Sequence, residues 1–125
     1  MRFFLVCLGG AIGSGARYLV SIGSLKILGA SFPFGTFIVN VVGSFLMGAI
    51  MHEAQATPLI SPTERMFLVT GVLGGFTTYS SFNYETIRYF QEGDFVRGSG
   101  YFLTTTVVCI LFGLLGFLAA KRLVG

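Results

Sequence analysis

Long apolar runs separated by short polar turns make up most of this chain. Four segments, at about residues 3–23, 33–53, 65–89 and 99–120, are each long and apolar enough to cross a membrane, which takes roughly 20 residues. Strands of a membrane barrel alternate apolar and polar positions, whereas residues 107–112 are apolar without alternation. The pattern therefore predicts an all-α membrane protein, a single domain over residues 1–125 with four transmembrane helices.

The third segment contains a stretch that does not suit a lipid-facing helix. Gly74 and Gly75 are adjacent, and hydroxyl-bearing and aromatic residues follow them as far as Tyr84. Adjacent glycines weaken a helix, and irregular backbone at bilayer depth is tolerated only where protein buries it or a polar cavity receives it. Broken helices in transporters present backbone groups to ions. We therefore expect the third helix to be broken at its centre, beside an ion site.

Two kinds of ion suit this region. Tyr79 and Phe82 are three residues apart and share a helix face, and the edges of their rings are electropositive. Ring edges together with hydroxyl and amide donors can bind a small anion without a full positive charge. This suits conduction, because a full positive charge would hold the anion too tightly to leave. Gly74 and Thr77 bring backbone carbonyls to the same place, and carbonyl oxygens favour a hard cation such as Na⁺.

Polar residues in the second and fourth segments each have two interpretations. Asn40 lies mid-way along the second segment, in line with Thr36 and Ser44. It either hydrogen-bonds a neighbouring helix or lines an ion path. One face of the fourth segment also has two interpretations. Either its weak donors pass an anion along, or its small residues pack against a neighbouring helix and its threonine bonds a backbone carbonyl. That face consists of Tyr101, Thr105, Cys109 and Gly113.

Arg17 and Glu85 are the ionisable residues that the pattern places most clearly inside the predicted helices, away from their ends. Arg17 either attracts anions at a water-filled vestibule or anchors the chain at lipid headgroups. Glu85 either bonds the hydroxyls near the break or pairs with Arg88, and we expect a supporting role for it. Gly9 and Gly13 have the GxxxG spacing that lets membrane helices approach closely.

Composition excludes several function classes. The chain is 54% hydrophobic and 10% charged, with a mean hydropathy of +0.83 and a net charge of +3. The sequence contains no catalytic constellation, no metal-ligating cluster and no basic patch for nucleic acid. Cys7 and Cys109 lie in apolar segments without CxxC spacing, so we expect neither a disulfide nor a metal site from them.

The basic residues give the chain no clear orientation in a membrane. Cytoplasmic loops normally carry the excess of Lys and Arg. With four crossings, each side receives four basic residues: Arg2, Arg65, Lys121 and Arg122 against Arg17, Lys26, Arg88 and Arg97. A chain without an orientation signal should insert both ways, so we expect an antiparallel, dual-topology homodimer. A single orientation fixed by another cue is the alternative.

Three motifs resemble those of the Fluc/CrcB family of fluoride channels. The run GGFTTYSSF at 74–82 resembles the third-helix signature of the family, and GTFIVNVVG at 35–43 resembles its second-helix signature. GGAIG at 9–13, followed by Arg17 and Tyr18, resembles its first helix. The resemblance covers the whole chain, including its length and four-segment pattern.

This resemblance implies a passive channel that exports fluoride across a bacterial-type plasma membrane and lowers cytoplasmic fluoride. It implies an antiparallel homodimer with two fluoride pathways, and a structural Na⁺ at the dimer centre on the carbonyls of Gly74 and Thr77 from both subunits. The pathway residues that it implies are Asn40, the aromatic pair Tyr79 and Phe82, the hydroxyls of Ser80 and Ser81, and the fourth-helix track of Tyr101, Thr105 and Cys109, with Arg17 at the vestibule.

The chain departs from the family pattern at two places. Tyr79 stands where the family usually has Phe, and its hydroxyl either adds a donor or narrows the passage. Thr105 replaces a serine, and the fourth-helix track weakens at Cys109 and Gly113.

Two other functions compete with a channel. A small proton-coupled multidrug antiporter needs a carboxylate in its first span, and the first span here has none. A non-transporting assembly subunit built on GxxxG packing would not account for aromatics and hydroxyls clustered beside a weakened helix.

Overall fold

The part of the chain that the computed structural model describes, residues 1–56 and 59–125, is helical and contains no β-strand. Three long helices dominate it: α1 (Arg2–Leu28), α2 (Phe34–Ala56) and α6 (Phe95–Val124). Between α2 and α6 lie the short helix α3 (Pro62–Met66), a π-helical stretch (Phe67–Leu73), the short helix α4 (Gly74–Phe76) and the helix α5 (Tyr79–Gln91). The predicted all-α class is confirmed.

The three long helices have the dimensions and composition of membrane spans. Helices α1, α2 and α6 contain 27, 23 and 30 residues, with mean hydropathies of 1.5, 1.8 and 2.3 in their most apolar windows. Only 11%, 22% and 11% of those windows are buried within the chain, so lipid or a second subunit must cover their apolar faces. Three of the four predicted spans are therefore confirmed, and the chain is a multi-pass membrane protein.

Glycines bring α2 and α6 into close contact. A Cβ added to Gly48 would overlap the carbonyl oxygen of Gly113, since the two backbones touch there. One helical turn later in both helices, the His52 and Phe117 rings lie 5.2 Å apart between centroids. The contacts advance in the same direction along both helices, so α2 and α6 are parallel.

The GxxxG glycines of α1 pack against the π-helical stretch. Gly9 contacts the backbone of Gly71, and Gly13 contacts that of Phe76, with too little space for a Cβ at either glycine. The close approach predicted from their spacing is confirmed. These contacts also advance together along the chain, so α1 and residues 67–76 run in the same direction. The chain therefore travels back along the length of α2 before α6 begins.

Side-chain caps set two of the helix ends. Ser61 and Glu64 form a reciprocal capping box at the start of α3. Helix α6 begins at Phe95, earlier than the predicted residue 99, because the Asp94 side chain accepts a hydrogen bond from the Arg97 N–H. Residues 57 and 58, between α2 and α3 in the chain, lie outside the described residues.

Candidate functional site

Between α4 and α5 the backbone leaves helical geometry for two residues. Thr77 has φ −81° and ψ 157°, and Thr78 has φ −149° and ψ 105°, so both are extended. The glycines at 74 and 75 are themselves helical, as the first residues of α4. Gly43 of α2 faces this interruption, and a Cβ there would overlap the Thr77 methyl group.

Asn40 holds the extended backbone in place. Its Oδ1 accepts a hydrogen bond from the Thr78 N–H at 2.8 Å, and its Nδ2 donates to the Thr78 carbonyl oxygen at 3.1 Å. Of the two interpretations of Asn40, the bond to a neighbouring segment is therefore realised. Asn40 also lines a groove, so its amide is placed for both roles.

Two backbone carbonyls next to the interruption lose their usual helical donors. In a continuous helix the Gly74 carbonyl accepts from the N–H of residue 78, and the Thr77 carbonyl accepts from that of residue 81. Here the Thr78 N–H donates to Asn40, and the Ser81 N–H donates to Thr78 Oγ1 at 3.2 Å. Gly74 and Thr77, the residues predicted to bind Na⁺, thus keep carbonyl lone pairs available.

Thr78 is a central residue that sequence reasoning missed. Its side chain is the N-cap of α5, and its Oγ1 also donates to Ser81 Oγ at 3.0 Å and lies 3.4 Å from Ser80 Oγ. The residue is buried, with 7% of its surface exposed. Its signal in the sequence was a threonine directly before a hydroxyl-rich run, a common start for a helix.

A groove of about 670 Å³ brings together most of the predicted anion-path residues. It is lined by Asn40, Thr77, Tyr79, Phe82, Thr105 and Cys109, and Ser44, Thr106 and small or apolar residues of α2 and α6 complete its walls. Among the described residues, no charged side chain lines it. A polar and aromatic lining without formal charge offers hydrogen-bond donors to a small anion and carries no positive charge that would bind the anion too tightly to leave.

The aromatic pair in this groove is arranged edge to face. The Tyr79 and Phe82 ring centroids are 5.7 Å apart with planes at 77°. Phe82 is buried, with 5% exposed, whereas Tyr79 is 75% exposed in the isolated chain. An aromatic ring that stands this far out of a membrane protein needs lipid or a second subunit against it.

The fourth-segment face divides into residues inside and behind the groove. Thr105 and Cys109 line it, and Thr105 Oγ1 is buried with no hydrogen-bond partner among the described residues. Tyr101 is buried behind the Phe82 ring, at 5.2 Å between centroids, and does not line the groove. The structure therefore brings only part of the predicted track to one cavity.

Glu85 has partners other than those expected. Its Oε1 accepts a hydrogen bond from Thr36 Oγ1 at 2.5 Å, and its Oε2 accepts one from the Tyr101 hydroxyl at 3.4 Å. Arg88 instead pairs with Glu92, four residues later on the exposed face of α5. The expected pairing with Arg88 and bonding to the hydroxyls near the break are both wrong, because α2 and α6 present nearer hydroxyls. Glu85 thereby links three helices.

Arg17 and the two serines lie away from the groove. Arg17 lines a separate cavity of about 220 Å³, together with Thr36, Thr78 and Ser81. Ser80 is exposed and lines neither cavity. Thr78 lies between the two cavities, since its backbone bonds Asn40 on one side and its side chain lines the other.

Comparison with known proteins places the chain in a family. The sequence profile described as "CrcB-like protein, Camphor Resistance (CrcB)" matches residues 4–117, which is most of the chain. The chain belongs to the CrcB family. Membership of this family confirms the resemblance seen in the three motifs.

Named relatives of this CrcB-family chain are similar over almost their whole length. A protein of Sorangium cellulosum named "Fluoride-specific ion channel FluC" is 52% identical over 123 residues, covering 98% of this chain and 97% of the relative. Proteins of the same name from Anaeromyxobacter sp. strain K and Geobacter sulfurreducens are 48% and 43% identical, and each covers more than nine-tenths of both chains. The relatives are bacterial, as expected for a multi-pass bacterial membrane protein.

Proposed function

We propose that this chain forms a passive, fluoride-selective channel that lets F⁻ leave the cytoplasm. One observation carries the proposal: an uncharged groove lined by an amide, four serine or threonine residues and an edge-to-face aromatic pair. It occurs in a chain 52% identical to a protein named as a fluoride-specific channel. A channel is not an enzyme, and the relatives give no support to a proton-coupled antiporter.

The proposed mechanism replaces the water around the ion with donors of the chain. Asn40 Nδ2 carries two protons and gives one to the Thr78 carbonyl, so the other is free for an anion. Thr105 Oγ1 has no partner among the described residues and adds a second donor. The electropositive edge of an aromatic ring adds further stabilisation. Because none of these groups carries a full charge, the ion is not held too tightly to leave.

We further propose that residues 62–91 cross the membrane as a fourth, broken span. Parallel packing of α2 and α6 supports this, because the chain must return to the starting side between them. Thr77 contacts Gly43 and the preceding Phe76 contacts Gly13, near the middles of α2 and α1, which corresponds to the middle of the bilayer. Irregular backbone at that depth is expected only where protein covers it.

The functional unit in this proposal is an antiparallel homodimer of oppositely inserted copies. The even division of basic residues between the two sides supports it. The exposed Tyr79 ring and the largely uncovered apolar faces of α1 and α6 are consistent with a second copy against them. In this arrangement Arg17 would draw anions to the mouth of the path, with Ser80 and Ser81 near the interruption.

A structural Na⁺ at the dimer centre fits the residues present. The carbonyls of Gly74 and Thr77 have lost their helical donors, and carbonyl oxygens are ligands that Na⁺ accepts. Two carbonyls from each copy would hold the ion. The ion would supply a fixed positive charge that joins the two copies.

Fluoride efflux from reconstituted liposomes tests the proposal. Purified protein should release trapped F⁻ to an electrode and leave trapped Cl⁻ in place. An antiporter would instead need a proton gradient and a cationic substrate, and an assembly subunit would release neither ion. Vesicles that keep their fluoride despite folded, dimeric protein would refute the proposed function.

A further inference from the structure

The amide of Asn40 joins the proposed anion path to the proposed cation site. Its Oδ1 and Nδ2 bond the N–H and the carbonyl of the same residue, Thr78, at 2.8 Å and 3.1 Å. These two bonds fix the orientation of the amide, because its oxygen must face the Thr78 N–H and its nitrogen the Thr78 carbonyl. Asn40 also lines the groove, so a single side chain lines the proposed anion path and bonds the residue that follows Thr77.

The Thr78 N–H has two competing acceptors. In a helix that continued through residue 78, it would donate to the Gly74 carbonyl oxygen. In this structure it donates to Asn40 Oδ1. Since Thr78 is buried, an N–H without any partner would be costly there, and it must bond one acceptor or the other.

We propose that Asn40 is a positioning residue for the sodium site, in addition to being a donor to fluoride. By taking the Thr78 N–H, it keeps the Gly74 carbonyl free for Na⁺. Without it, the N–H turns to Gly74, the helix closes by one hydrogen bond, and the cation loses a ligand from each copy. The inference rests on the proposed function, because it concerns the same sodium site.

Three substitutions separate this role from conduction. Asn40→Leu removes both bonds to Thr78, whereas Asn40→Asp keeps an oxygen that can accept the hydrogen bond from the Thr78 N–H. Thr105→Val removes another polar group from the same groove without touching Thr78. If Asn40→Leu does not fold, Asn40→Ala makes the same test, since it too lacks an acceptor.

The experiment measures dimerisation of the detergent-solubilised full chain against Na⁺ concentration. Na⁺ is replaced by N-methyl-D-glucamine at constant ionic strength, and the monomer-to-dimer ratio is read by size-exclusion chromatography with light scattering. We expect Asn40→Leu to raise the Na⁺ concentration for half-dimerisation about tenfold, which is the ratio that about 1.4 kcal/mol represents. Asn40→Asp should shift it less than Asn40→Leu, and Thr105→Val should leave it unchanged.

The possible outcomes are distinct. An Asn40→Leu midpoint equal to that of the unmodified chain, or a Thr105→Val shift of the same size, would overturn the positioning role while leaving the channel intact. An unmodified chain whose dimerisation ignores Na⁺ would overturn both the sodium site and this inference. Fluoride efflux measured on the same preparations then shows separately whether the proposed channel function stands.

Discussion

Replacing Thr105 by valine should stabilise the fold and impair conduction. The Thr105 side chain is buried, with 3% of the residue exposed, and its hydroxyl has no partner among the described residues. An unsatisfied buried hydroxyl costs about 1–3 kcal/mol, and valine has nearly the same shape without it. We therefore expect the free energy of unfolding to rise by about 1 kcal/mol, an increase of roughly fivefold in the folded-to-unfolded ratio.

The same change should slow fluoride efflux. A hydrogen bond to a charged group contributes about 1.5–3 kcal/mol, so loss of this donor should lower the rate by about tenfold or more. Denaturant titration in detergent and efflux from liposomes measure the two effects on one preparation. Thr104→Val is the matched control, because Thr104 is exposed on the same helix and does not line the groove.

The two predicted effects of Thr105→Val have opposite signs, because stability rises while the efflux rate falls. A purely structural threonine would lose stability on substitution and would change the efflux only through the amount of folded protein. If Thr105→Val destabilises the chain by 1 kcal/mol or more, the hydroxyl has a partner. If efflux equals that of Thr104→Val, Thr105 does not contact the ion.

Three further predictions concern charge, packing and orientation. Asn40→Asp should abolish fluoride efflux from liposomes, since it places a negative charge in the path; an unchanged rate would remove Asn40 from the pathway. Gly13→Ala should destabilise the protein by about 2 kcal/mol in denaturant titrations, because its Cβ overlaps the Val72 carbonyl, whereas Gly10→Ala meets open space; equal effects would contradict the packing. A C-terminal reporter should be active on both sides of the membrane, and activity on one side alone would rule out dual topology.

The long spans could be predicted from the sequence because membrane spans are local features. Twenty apolar residues need no distant partner to form a helix in lipid. The close glycine contacts of α1 also follow from local spacing, which confirmed Gly9 and Gly13 as a packing face. The cap at Ser61 is a local feature of the same kind, because its partner, Glu64, is three residues away.

The details of the site depend on partners far away in sequence. The paired glycines at 74 and 75 stay helical, and the extended residues come after them, because Thr78 bonds Asn40, which lies 38 residues earlier. Glu85 takes a hydroxyl 49 residues away in preference to Arg88 on its own helix. Sequence spacing identifies neighbours on the same helix, so it cannot show when a residue bonds a partner on another helix instead.

The polar composition of α5 bears on how the protein is made. The stretch from Tyr79 to Gln91 carries Glu85 and Arg88, and at 13 residues α5, the longest helix within residues 62–91, is too short to cross a membrane by itself. A segment of this kind gains little by partitioning from the translocon into lipid alone. If it crosses the bilayer, its entry depends on earlier-synthesised α2, whose Thr36 and Asn40 satisfy its polar groups. Biosynthesis would then deliver α2 and α5 as a cooperative pair, and a nascent chain lacking those two side chains would stall with its third segment outside the membrane.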